Sequence, residues 1–405
     1  MRTFTKPFTQ QEPLSDETIA RAVEVMRTGR LTRYNTLEGE TSDTALLEQE
    51  FADYMGLPYC LACASGGYAL HVALKAIELE QGAPVLCNGF TLSPVPGAID
   101  NAGGRPVLVE IDENLKLDIK DLAAKADASG AKVLMLSHMR GHICDMDAVM
   151  EVCDARDIAV IEDCAHTMGA RWKGKLSGTF GKVACFSTQT YKHLNSGEGG
   201  FLTTRDAHVI ARAVVHSGSY MLYDRHLAVP NAEVFADIRL ETPNYSGRMD
   251  NLRAVILRAQ LPHLDENCRR WNLLYGTLEQ GLREISGIRV PERPQHEEYV
   301  GSSIQFSLEG ADAETMRDFI RECAERGVEI KWFGADEPAG FTSRFDSWRY
   351  IEDMDELPST RRILATLCDM RVPLTFDEDD CRQITAVIAE SAVAIRAMEA
   401  SVHGQ

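Results

Sequence analysis

Short apolar runs separated by longer amphipathic segments make up most of this chain. The runs are too short for helices and are bounded by turn residues, which is typical of strands buried inside a sheet. The segments between them carry apolar residues at helical spacing, so the pattern predicts strands alternating with helices in an α/β fold. The predicted strands cover residues 60–64, 85–87, 106–111, 158–161, 183–186 and 201–203, and a further one starts the stretch KVLMLSH.

Capping residues mark the ends of several predicted helices. Ser15 predicts a helix start and Gly29 its end, and Asp145 predicts the start of a later helix. Residues 46–54 have the apolar spacing of an amphipathic helix. Residues 216–245 are polar and irregular, which predicts an excursion over a site or a contact between subunits, and one or two long amphipathic helices follow them.

An acid, a hydroxyl and a lysine lie near the predicted ends of three central strands. Asp163 follows the run 158–161, Ser187 follows the run 183–186, and Lys192 precedes the third run. Open α/β sheets carry their sites at the carboxyl ends of the strands. A lysine amine and an acid in one crevice suggest pyridoxal phosphate, because that cofactor needs a Schiff base and a partner for its pyridine nitrogen. A lone lysine is otherwise a solvated surface charge.

The order and spacing of these motifs carry a family resemblance. EDCAHTMGA, KGKLSGTFG, FS, Lys192 five residues after Ser187, and GEGG closely resemble the DegT/DnrJ/EryC1/StrS sugar aminotransferase family, over nearly the whole chain. The resemblance implies the fold of type I pyridoxal-phosphate transferases, a mostly parallel central sheet flanked by helices with a smaller α+β C-terminal domain. It also implies a homodimer, a large cofactor-binding domain over residues 1–265 with an N-terminal arm, and a small domain over 266–405.

The resemblance assigns roles to the central residues. Lys192 would hold pyridoxal 5'-phosphate as a Schiff base and serve as the catalytic residue, and Asp163 would keep the pyridine nitrogen protonated. Ser187 would hold the phosphate. His166 stands where the family usually has Gln, and it could lie by the ring or donate to the phenolic oxygen. An ordinary buried histidine is the alternative.

A strand, the small residues Ser65, Gly66 and Gly67, and a helix start form an anion site on physical grounds alone. Free backbone N–H groups and the helix dipole both favour a phosphate there. The family carries Gly-Thr at this point, so Gly66 and Gly67 keep the backbone contacts but lose the threonine hydroxyl. A plain turn is the alternative interpretation of the glycines.

Two further cofactor contacts stay open between neighbouring residues. The family has an aromatic residue that stacks on the pyridine ring, and here that position is Leu92. Phe90, two residues earlier, is the aromatic candidate for this contact, although a core position suits it as well. An asparagine of the family crosses the dimer interface to the partner's phosphate. Because this chain has two extra residues before Arg248, either Asn244 or Ser246 could do so.

Two residues are candidate substrate contacts. Tyr34 lies in a segment that approaches the active site in the resembling family, although an ordinary surface loop is equally consistent. Arg140 stands where the family often has tyrosine, and its guanidinium suits a carboxylate or a phosphate. A surface arginine is the alternative.

Composition excludes several other classes. The net charge of −19 argues against nucleic-acid binding, which needs a basic surface. No apolar run is long enough to span a bilayer and no targeting segment is visible, so we expect a cytoplasmic protein away from the membrane. The 11 cysteines lack metal-ligand spacing, so we expect no metal site and reduced core thiols.

The sequence therefore predicts an aminotransferase that moves an amino group from glutamate or glutamine to a keto or aldehydo sugar, in the biosynthesis of an amino sugar, a polysaccharide or an antibiotic. The acceptor could be a nucleotide sugar, a sugar phosphate, a keto-inositol or an octulosonic-type sugar acid. The RYNT and EDCAH stretches resemble the aminocyclitol and 8-amino-3,8-dideoxy-octulosonate transaminase branches of the family, which favours the last three. A fold-type I lyase or dehydratase is the alternative, and Lys192 speaks against the dehydratase branch, in which histidine replaces it. A catalytically silent sensor or structural subunit is a third hypothesis, which the intact Asp163, Ser187 and Lys192 disfavour.

Overall fold

The computed structural model describes residues 2–340, 344–352, 354 and 356–403. Its largest sheet has seven strands, whose numbers follow chain order. These strands are β1 (Tyr59–Cys63), β2 (Pro84–Asn88), β3 (Arg105–Val109), β4 (Val133–Ser137), β5 (Ala159–Asp163), β8 (Val183–Ser187) and β9 (Gly200–Thr204). Their order across the sheet is β1-β9-β8-β5-β4-β2-β3. The predicted strands are confirmed, with shifts of one or two residues at their ends.

The sheet is parallel except at one strand. Pairs β2–β3, β2–β4, β4–β5 and β5–β8 are parallel, while β9 runs antiparallel to both of its neighbours, β1 and β8. Helices make the crossovers from β2 to β3, from β3 to β4 and from β4 to β5, whereas a short hairpin lies between β5 and β8. The carboxyl ends of β4, β5 and β8 therefore open at one edge of the sheet.

Helices cover both faces of this sheet. Alternate residues of β4 point to different apolar clusters, with Val133 and Met135 in one and Leu134 and Leu136 in the other. The period of two is what a strand buried on both faces requires. The helices of this part are α1 (Asp16–Thr28), α2 (Asp43–Met55), α3 (Gly66–Ala76), α4 (Pro94–Asn101), α5 (Ile119–Ser129), α6 (Met146–Asp154), α7 (Ala207–His216), α8 (Phe235–Glu241) and α9 (Asn251–Gln260).

A second, antiparallel sheet forms in the C-terminal part of the chain. Its strands are β10 (Ile288–Arg289), β12 (Ser303–Leu308), β13 (Lys331–Trp332) and β14 (Leu367–Arg371), in the order β10-β12-β14-β13. The helices of this part are α10 (Leu264–Arg283), α11 (Ala313–Glu325), α12 (Pro358–Leu364) and α13 (Glu378–His403). The predicted division between residues 265 and 266 falls just inside α10 and stays a prediction.

Two segments tie the N-terminal and C-terminal parts together. The N-terminal arm places Phe4 and Phe8 in the apolar cluster of the second sheet, where both rings meet Phe376 edge to face. A third, small sheet pairs β11 (Glu297–Glu298) with β6 (Arg171–Trp172), which in turn pairs with β7 (Lys175–Leu176). The arm thus packs on the C-terminal part, although the sequence assigned it to the large domain.

Local signals in the sequence are largely confirmed. Ser15 caps α1 by accepting the Thr18 N–H, and Gly29 ends the helix at φ 68°. Asp145 caps α6 in the same way. The segment 216–245 is less irregular than expected, because it contains α8 and two short 3-10 turns. All eleven cysteines are buried and unpaired, as expected of reduced core thiols. Within the described ranges, every helix is too short or too polar to cross a membrane.

Candidate active site

A cavity of about 420 Å³ opens at the carboxyl ends of β4, β5 and β8, beside the N-terminus of α3. The second sheet contributes to its wall through the end of β14. Its lining includes Ser65, Gly66, Gly67, Leu92, Ser137, Arg140, Asp163, His166, Ser187, Gln189, Tyr191, Lys192, Glu198 and Arg371. The acid, the hydroxyl and the lysine that the sequence singled out therefore lie in one place.

Lys192 projects into this cavity from the turn between β8 and β9. Its Nζ lies 2.8 Å from Nε2 of His166. Burial lowers the pKa of the Lys192 amine from 10.5 to about 7, and repulsion from Arg140 adds to the effect, while attraction to Asp163 opposes it. The amine is therefore available in its neutral, nucleophilic form near neutral pH.

Lys192 reaches the cavity differently from what the sequence suggested. The third apolar run, β9, is antiparallel, so Gly200 at its amino end pairs with Ser187 at the carboxyl end of β8. The turn 188–199 is therefore brought back to the same edge of the sheet. The sequence predicted that all three strands would present their carboxyl ends at the site. This is wrong for β9, because an antiparallel strand has its amino end at that edge of the sheet.

Asp163 is held by its neighbours on the sheet. Its Oδ2 accepts a hydrogen bond from Ser137 Oγ at 2.9 Å, and its Oδ1 accepts the Ala165 N–H at 3.1 Å. Ser137 is itself fixed, since it accepts from Thr91 Oγ1 and donates its N–H to Asn88. The carboxylate is buried and aimed by this network. Sequence reasoning missed Ser137, although its place at the end of a predicted strand was a signal.

His166 lies beside Lys192 in the cavity. Burial, followed by repulsion from Lys192 and Arg140, lowers the pKa of His166 well below its usual 6.5. The imidazole is therefore neutral. A neutral Nε2 can accept a hydrogen bond from the lysine amine, so His166 orients Lys192 without adding a second positive charge.

A second polar cluster adjoins the site. Ligand atoms of His138, Glu162 and Cys164 are all within 4.8 Å of one another, which is a metal-like spacing. The Glu162 carboxylate, however, accepts backbone N–H groups at 2.7–2.9 Å from the turn 178–181. Its oxygens are used to fix that turn, so we assign the cluster a structural role.

The N-terminus of α3 meets β8 closely. Ser65 caps the helix by accepting the Tyr68 N–H at 3.1 Å. A Cβ on Gly66 would lie 2.7 Å from Cβ of Ser187, so only glycine allows this approach. A helix leaves the N–H groups of its first turn without partners inside the helix, and here they face the same space as the Ser187 hydroxyl. This space is an anion cradle by charge and geometry.

Arg140 is buried in another part of the cavity wall. Its Nη2 lies 2.9 Å from Oδ2 of Asp369, which belongs to β14. Its backbone is left-handed, at φ 54°, in a turn directly after β4. The structure therefore places Arg140 at the cavity, where sequence reasoning left a surface arginine as the alternative.

Arg371 and Tyr191 line the cavity, although sequence reasoning gave neither residue a role. Arg371 ends β14, and its guanidinium carbon lies 3.6 Å from the ring centre of Tyr191. Burial lowers the pKa of Arg371 below its usual 12.5, and repulsion from Arg140 contributes. Arg371 is distant from Lys192 in the chain and belongs to another sheet, so no local pattern could have joined them.

Phe90 lies outside the cavity lining. It is 1% exposed, and its ring packs edge to face on Phe333 at 5.0 Å between centroids. Leu92 lines the cavity instead. The structure therefore favours a core position for Phe90, and Leu92 is the remaining candidate for the contact with the cofactor ring.

Tyr34 also lies away from this cavity. It is buried, and its hydroxyl lies 2.8 Å from Nε2 of His226. The same cluster contains the buried ion pair of Arg33 with Glu48, at 2.6 Å. Burial alone would raise the pKa of Glu48, but attraction to Arg33 and His226, together with their hydrogen bonds, outweighs burial and lowers that pKa to about 2. In a single subunit, Tyr34 therefore belongs to a structural network.

Asn244 and Ser246 are exposed and lie outside the lining of their own subunit's cavity. Their segment is nevertheless held in place, because Tyr245 between them donates its N–H to the His216 carbonyl at 2.7 Å. A fixed, exposed polar loop of this kind is compatible with reaching another subunit.

The groups around the cavity suit pyridoxal phosphate. The Lys192 amine, with its lowered pKa, suits the aldehyde of the cofactor. The Asp163 carboxylate, held by two hydrogen bonds, suits the ring nitrogen. The N-terminus of α3 and the Ser187 hydroxyl suit the phosphate. These groups are carried by a mostly parallel seven-stranded sheet, and a smaller antiparallel sheet contributes to the cavity wall. Fold and site together define the class of pyridoxal-phosphate-dependent aminotransferases with the type I fold.

Comparison with known proteins confirms this class and shows the family within it. The chain belongs to the DegT/DnrJ/EryC1/StrS aminotransferase family, whose model matches residues 13–389. The GDP-perosamine synthase of Caulobacter vibrioides is 34% identical over 289 residues, which cover 70% of this chain and 74% of that protein. A putative L-glutamine:3-amino-2,3-dideoxy-scyllo-inosose aminotransferase of Micromonospora echinospora is 30% identical over 70% of this chain and 68% of its own length.

A solved structure agrees with the fold. The aminotransferase from Psychrobacter cryohalolentis superimposes with a TM-score of 0.83 at 23% sequence identity, covering 96% of this chain and all of that one. The likeness extends over both sheets, so the two parts of the chain share the architecture of a known aminotransferase.

Proposed function

We propose that this enzyme transfers an amino group from L-glutamate or L-glutamine to a keto or aldehydo sugar, with Lys192 as its Schiff-base residue. The observation that supports the proposal is the Lys192 amine, whose pKa is lowered to about 7 in the cavity that also holds Asp163 and the anion cradle. The relatives named above include a GDP-perosamine synthase and a scyllo-inosose aminotransferase. The acceptor is therefore sought among nucleotide sugars, sugar phosphates, keto-inositols and octulosonic-type sugar acids.

In this proposal Lys192 acts on the reacting atoms, and His166 positions Lys192. When bound, pyridoxal phosphate carries the amino group between the two substrates and accepts electron density from the substrate carbon. Lys192 Nζ would hold the cofactor through its aldehyde carbon, and the lysine amine, once free, would move a proton between the substrate carbon and the cofactor carbon. His166 accepts a hydrogen bond from the same Nζ and directs its lone pair.

Asp163 supplies the charge that the ring nitrogen needs. Its carboxylate stays directed because Ser137 and the Ala165 N–H occupy one site on each oxygen. A fixed anion beside a protonated nitrogen stabilises negative charge that develops on the reacting carbon, without reorganisation at that moment. Leu92, from the loop after β2, supplies an apolar wall.

The phosphate is held at the anion cradle. The Gly66 and Gly67 N–H groups and the Ser187 hydroxyl supply the donors, and the dipole of α3 favours the negative charge. The cradle is built from the chain's own helix start and strand end, so these residues would hold the phosphate end of the cofactor in the cavity that also contains Lys192.

The site is completed by a second subunit in this proposal. Asn244 or Ser246 of one protomer would reach the phosphate bound by its partner, whereas the buried Tyr34, whose hydroxyl lies 2.8 Å from His226, stays in the structural network of its own subunit. The exposed aromatic side chains of Tyr220 and Tyr245 lie beside these residues and would be covered there. We expect the dimer to work in the cytoplasm.

The first experiment compares absorption spectra of native protein and Lys192→Ala, each loaded with pyridoxal phosphate, before and after adding L-glutamate or L-glutamine. Lys182→Ala is the matched control, since the Lys182 side chain is 45% exposed and pairs with Asp206 on the surface. We expect the native protein and the control to show an absorption band that Lys192→Ala lacks. One of the two donors should bleach this band. If Lys192→Ala gives the native spectrum, the lysine assignment is wrong.

A mixing experiment tests the shared site. Lys192→Ala and Asn244→Ala subunits are each expected to be inactive alone. If Asn244 serves the partner's cofactor, random mixing gives one intact site in each hybrid dimer, which is about a quarter of the native sites. An Asn244→Ala protein that is active alone would point to Ser246, tested in the same way, whereas mixtures that stay inactive would indicate sites that each subunit builds alone.

A further inference from the structure

Three cationic side chains meet at one wall of the active-site cavity. Arg140 follows β4, while Arg371 and Lys331 come from two adjacent strands of the second sheet, β14 and β13. Arg140 and Arg371 line the cavity directly. Lys331 stands at the rim, where its Nζ is 3.9 Å from the place a Cβ would take on the lining residue Gly340.

The three cations are close enough to repel one another. Burial lowers the pKa of Lys331, and repulsion from Arg371 adds to it. Asp369, from the middle of β14, lies among them, pairing with Arg140 at 2.9 Å and accepting the Gln305 side-chain N–H through its other oxygen at 2.8 Å. Such a concentration of cations at a cavity contrasts with a chain of net charge −19.

The side chains of Arg140 and Arg371 are held in place by their surroundings. Arg140 is 7% exposed, and its left-handed backbone is a conformation that a residue with a side chain keeps only where its surroundings hold it. The Arg371 guanidinium is stacked on the ring of Tyr191, which also lines the cavity. Both guanidinium groups are thus held in fixed orientations at the cavity.

This wall is separate from the phosphate cradle. The cradle lies at Gly66 and Ser187, at the end of β8, whereas Arg140 follows β4. Two strand spacings separate β8 from β4 in the sheet, which is roughly 10 Å. The cofactor's phosphate is provided for at the helix N-terminus, so the cationic wall is not part of the phosphate cradle.

We propose that Arg140, Arg371 and Lys331 form a subsite for a carboxylate on the acceptor, so that this enzyme aminates an acidic sugar in preference to a neutral one. The inference rests on the proposed aminotransferase function and narrows its acceptor. A planar guanidinium presents paired N–H donors that match the two oxygens of a carboxylate, and the partly buried setting strengthens each charged hydrogen bond. The donor amino acid also carries carboxylates, so the test separates the two sources.

The test measures binding to the cofactor-loaded enzyme by isothermal titration calorimetry. The probes are D-glucuronate and 3-deoxy-D-manno-octulosonate, with D-glucose as the neutral counterpart. The variants are Arg371→Met, Arg371→Lys and, at the rim, Lys331→Met, which leaves the stacked arginine untouched. Arg382→Met is the matched control, because the Arg382 side chain is 60% exposed on α13 and lies outside the cavity lining. The half-saturating concentration of L-glutamate in the donor half-reaction is measured in parallel.

We expect native enzyme and Arg382→Met to bind at least one sugar acid about tenfold or more tightly than glucose, as one charge-assisted contact allows. Arg371→Met should lose that preference, Lys331→Met should reduce it, and Arg371→Lys should recover part of it. The half-saturating glutamate concentration should change much less. Equal binding of acid and glucose by the native enzyme would overturn the proposal, as would variants that keep the preference.

A rise in the half-saturating glutamate concentration as large as the loss of sugar-acid binding would also overturn it, because the subsite would then serve the donor. Failure of the proposed function itself is recognised separately. In that case the native protein would show no Lys192-dependent absorption band, whatever the sugar acids do.

Discussion

Replacing Lys192 by methionine should stabilise the cofactor-free protein in a pH-dependent manner. Methionine has a similar shape and no charge. The pKa of Lys192 is about 7 in the folded protein against 10.5 for an ordinary lysine, so the unfolded chain binds more protons between these values. The stability of the native protein therefore rises as the pH climbs from 7 to 10.5, and the full penalty of the buried charge applies below 7.

The size of the effect follows from the shift. Each pKa unit corresponds to about 1.4 kcal/mol, so the penalty at low pH reaches at most about 5 kcal/mol, and partial access of solvent to the side chain reduces it. The variant loses the hydrogen bond to His166, which offsets about 1 kcal/mol. We expect Lys192→Met to be more stable by roughly 3 kcal/mol near pH 6, and this advantage to shrink by about 3 kcal/mol, to near zero, at pH 9.5.

Urea denaturation of both cofactor-free proteins, at equal protein concentration and at both pH values, measures this difference. The hydrogen bond is lost at both values, so the change with pH reports mainly on the charge. An advantage of the same size at both pH values would refute the reasoning, because it would show that the amine is not held at a lowered pKa. Lys182→Met is the control and should show no comparable dependence.

Three other changes test separate parts of the structure. Gly66→Ala should weaken cofactor binding and cost about 1–3 kcal/mol in urea denaturation, because its Cβ would lie 2.7 Å from a neighbouring Cβ. Gly276→Ala, with open space around it, is the control and should be neutral or stabilising. Ser137→Ala should slow the donor half-reaction about tenfold in stopped-flow absorbance, because Asp163 loses its 2.9 Å hydrogen bond. An unchanged rate would show that Asp163 is directed without it. Glu48→Gln should cost about 3–5 kcal/mol in urea denaturation by leaving a buried arginine without its ion pair, and a neutral effect would contradict that role.

The parts of the fold that follow from local chemistry were predictable. The strand of residues 85–87 and its neighbours are apolar on both faces, and a helix capped by Ser15 needs only adjacent residues to form. The cradle at Gly66 and Gly67 was predictable for the same reason, since a strand, small residues and a helix start are consecutive. The acid, hydroxyl and lysine of the cavity belong to one stretch of the chain and were found together.

The rest depended on contacts between distant segments. Arg371 reaches the cavity only because the end of β14, a strand of the second sheet, lies at the cavity wall, and nothing near Arg371 in the chain indicates this. Phe90 and Leu92 differ by two positions, which on an irregular loop decides whether a side chain enters the core or the cavity. Tyr34 is buried by a contact with His226, 192 positions further along the chain, which no local pattern indicates.

The N-terminal arm has a consequence for how this chain matures. Phe8 packs against Phe376, and the Arg2 N–H donates to Glu390, 388 positions further along the chain. At about 5–20 residues per second, the arm waits on the order of 20 to 80 seconds on the ribosome before these partners are made. Through this interval the arm's aromatic rings lack their partner Phe376, which makes the arm a natural client for a chaperone that binds short apolar segments.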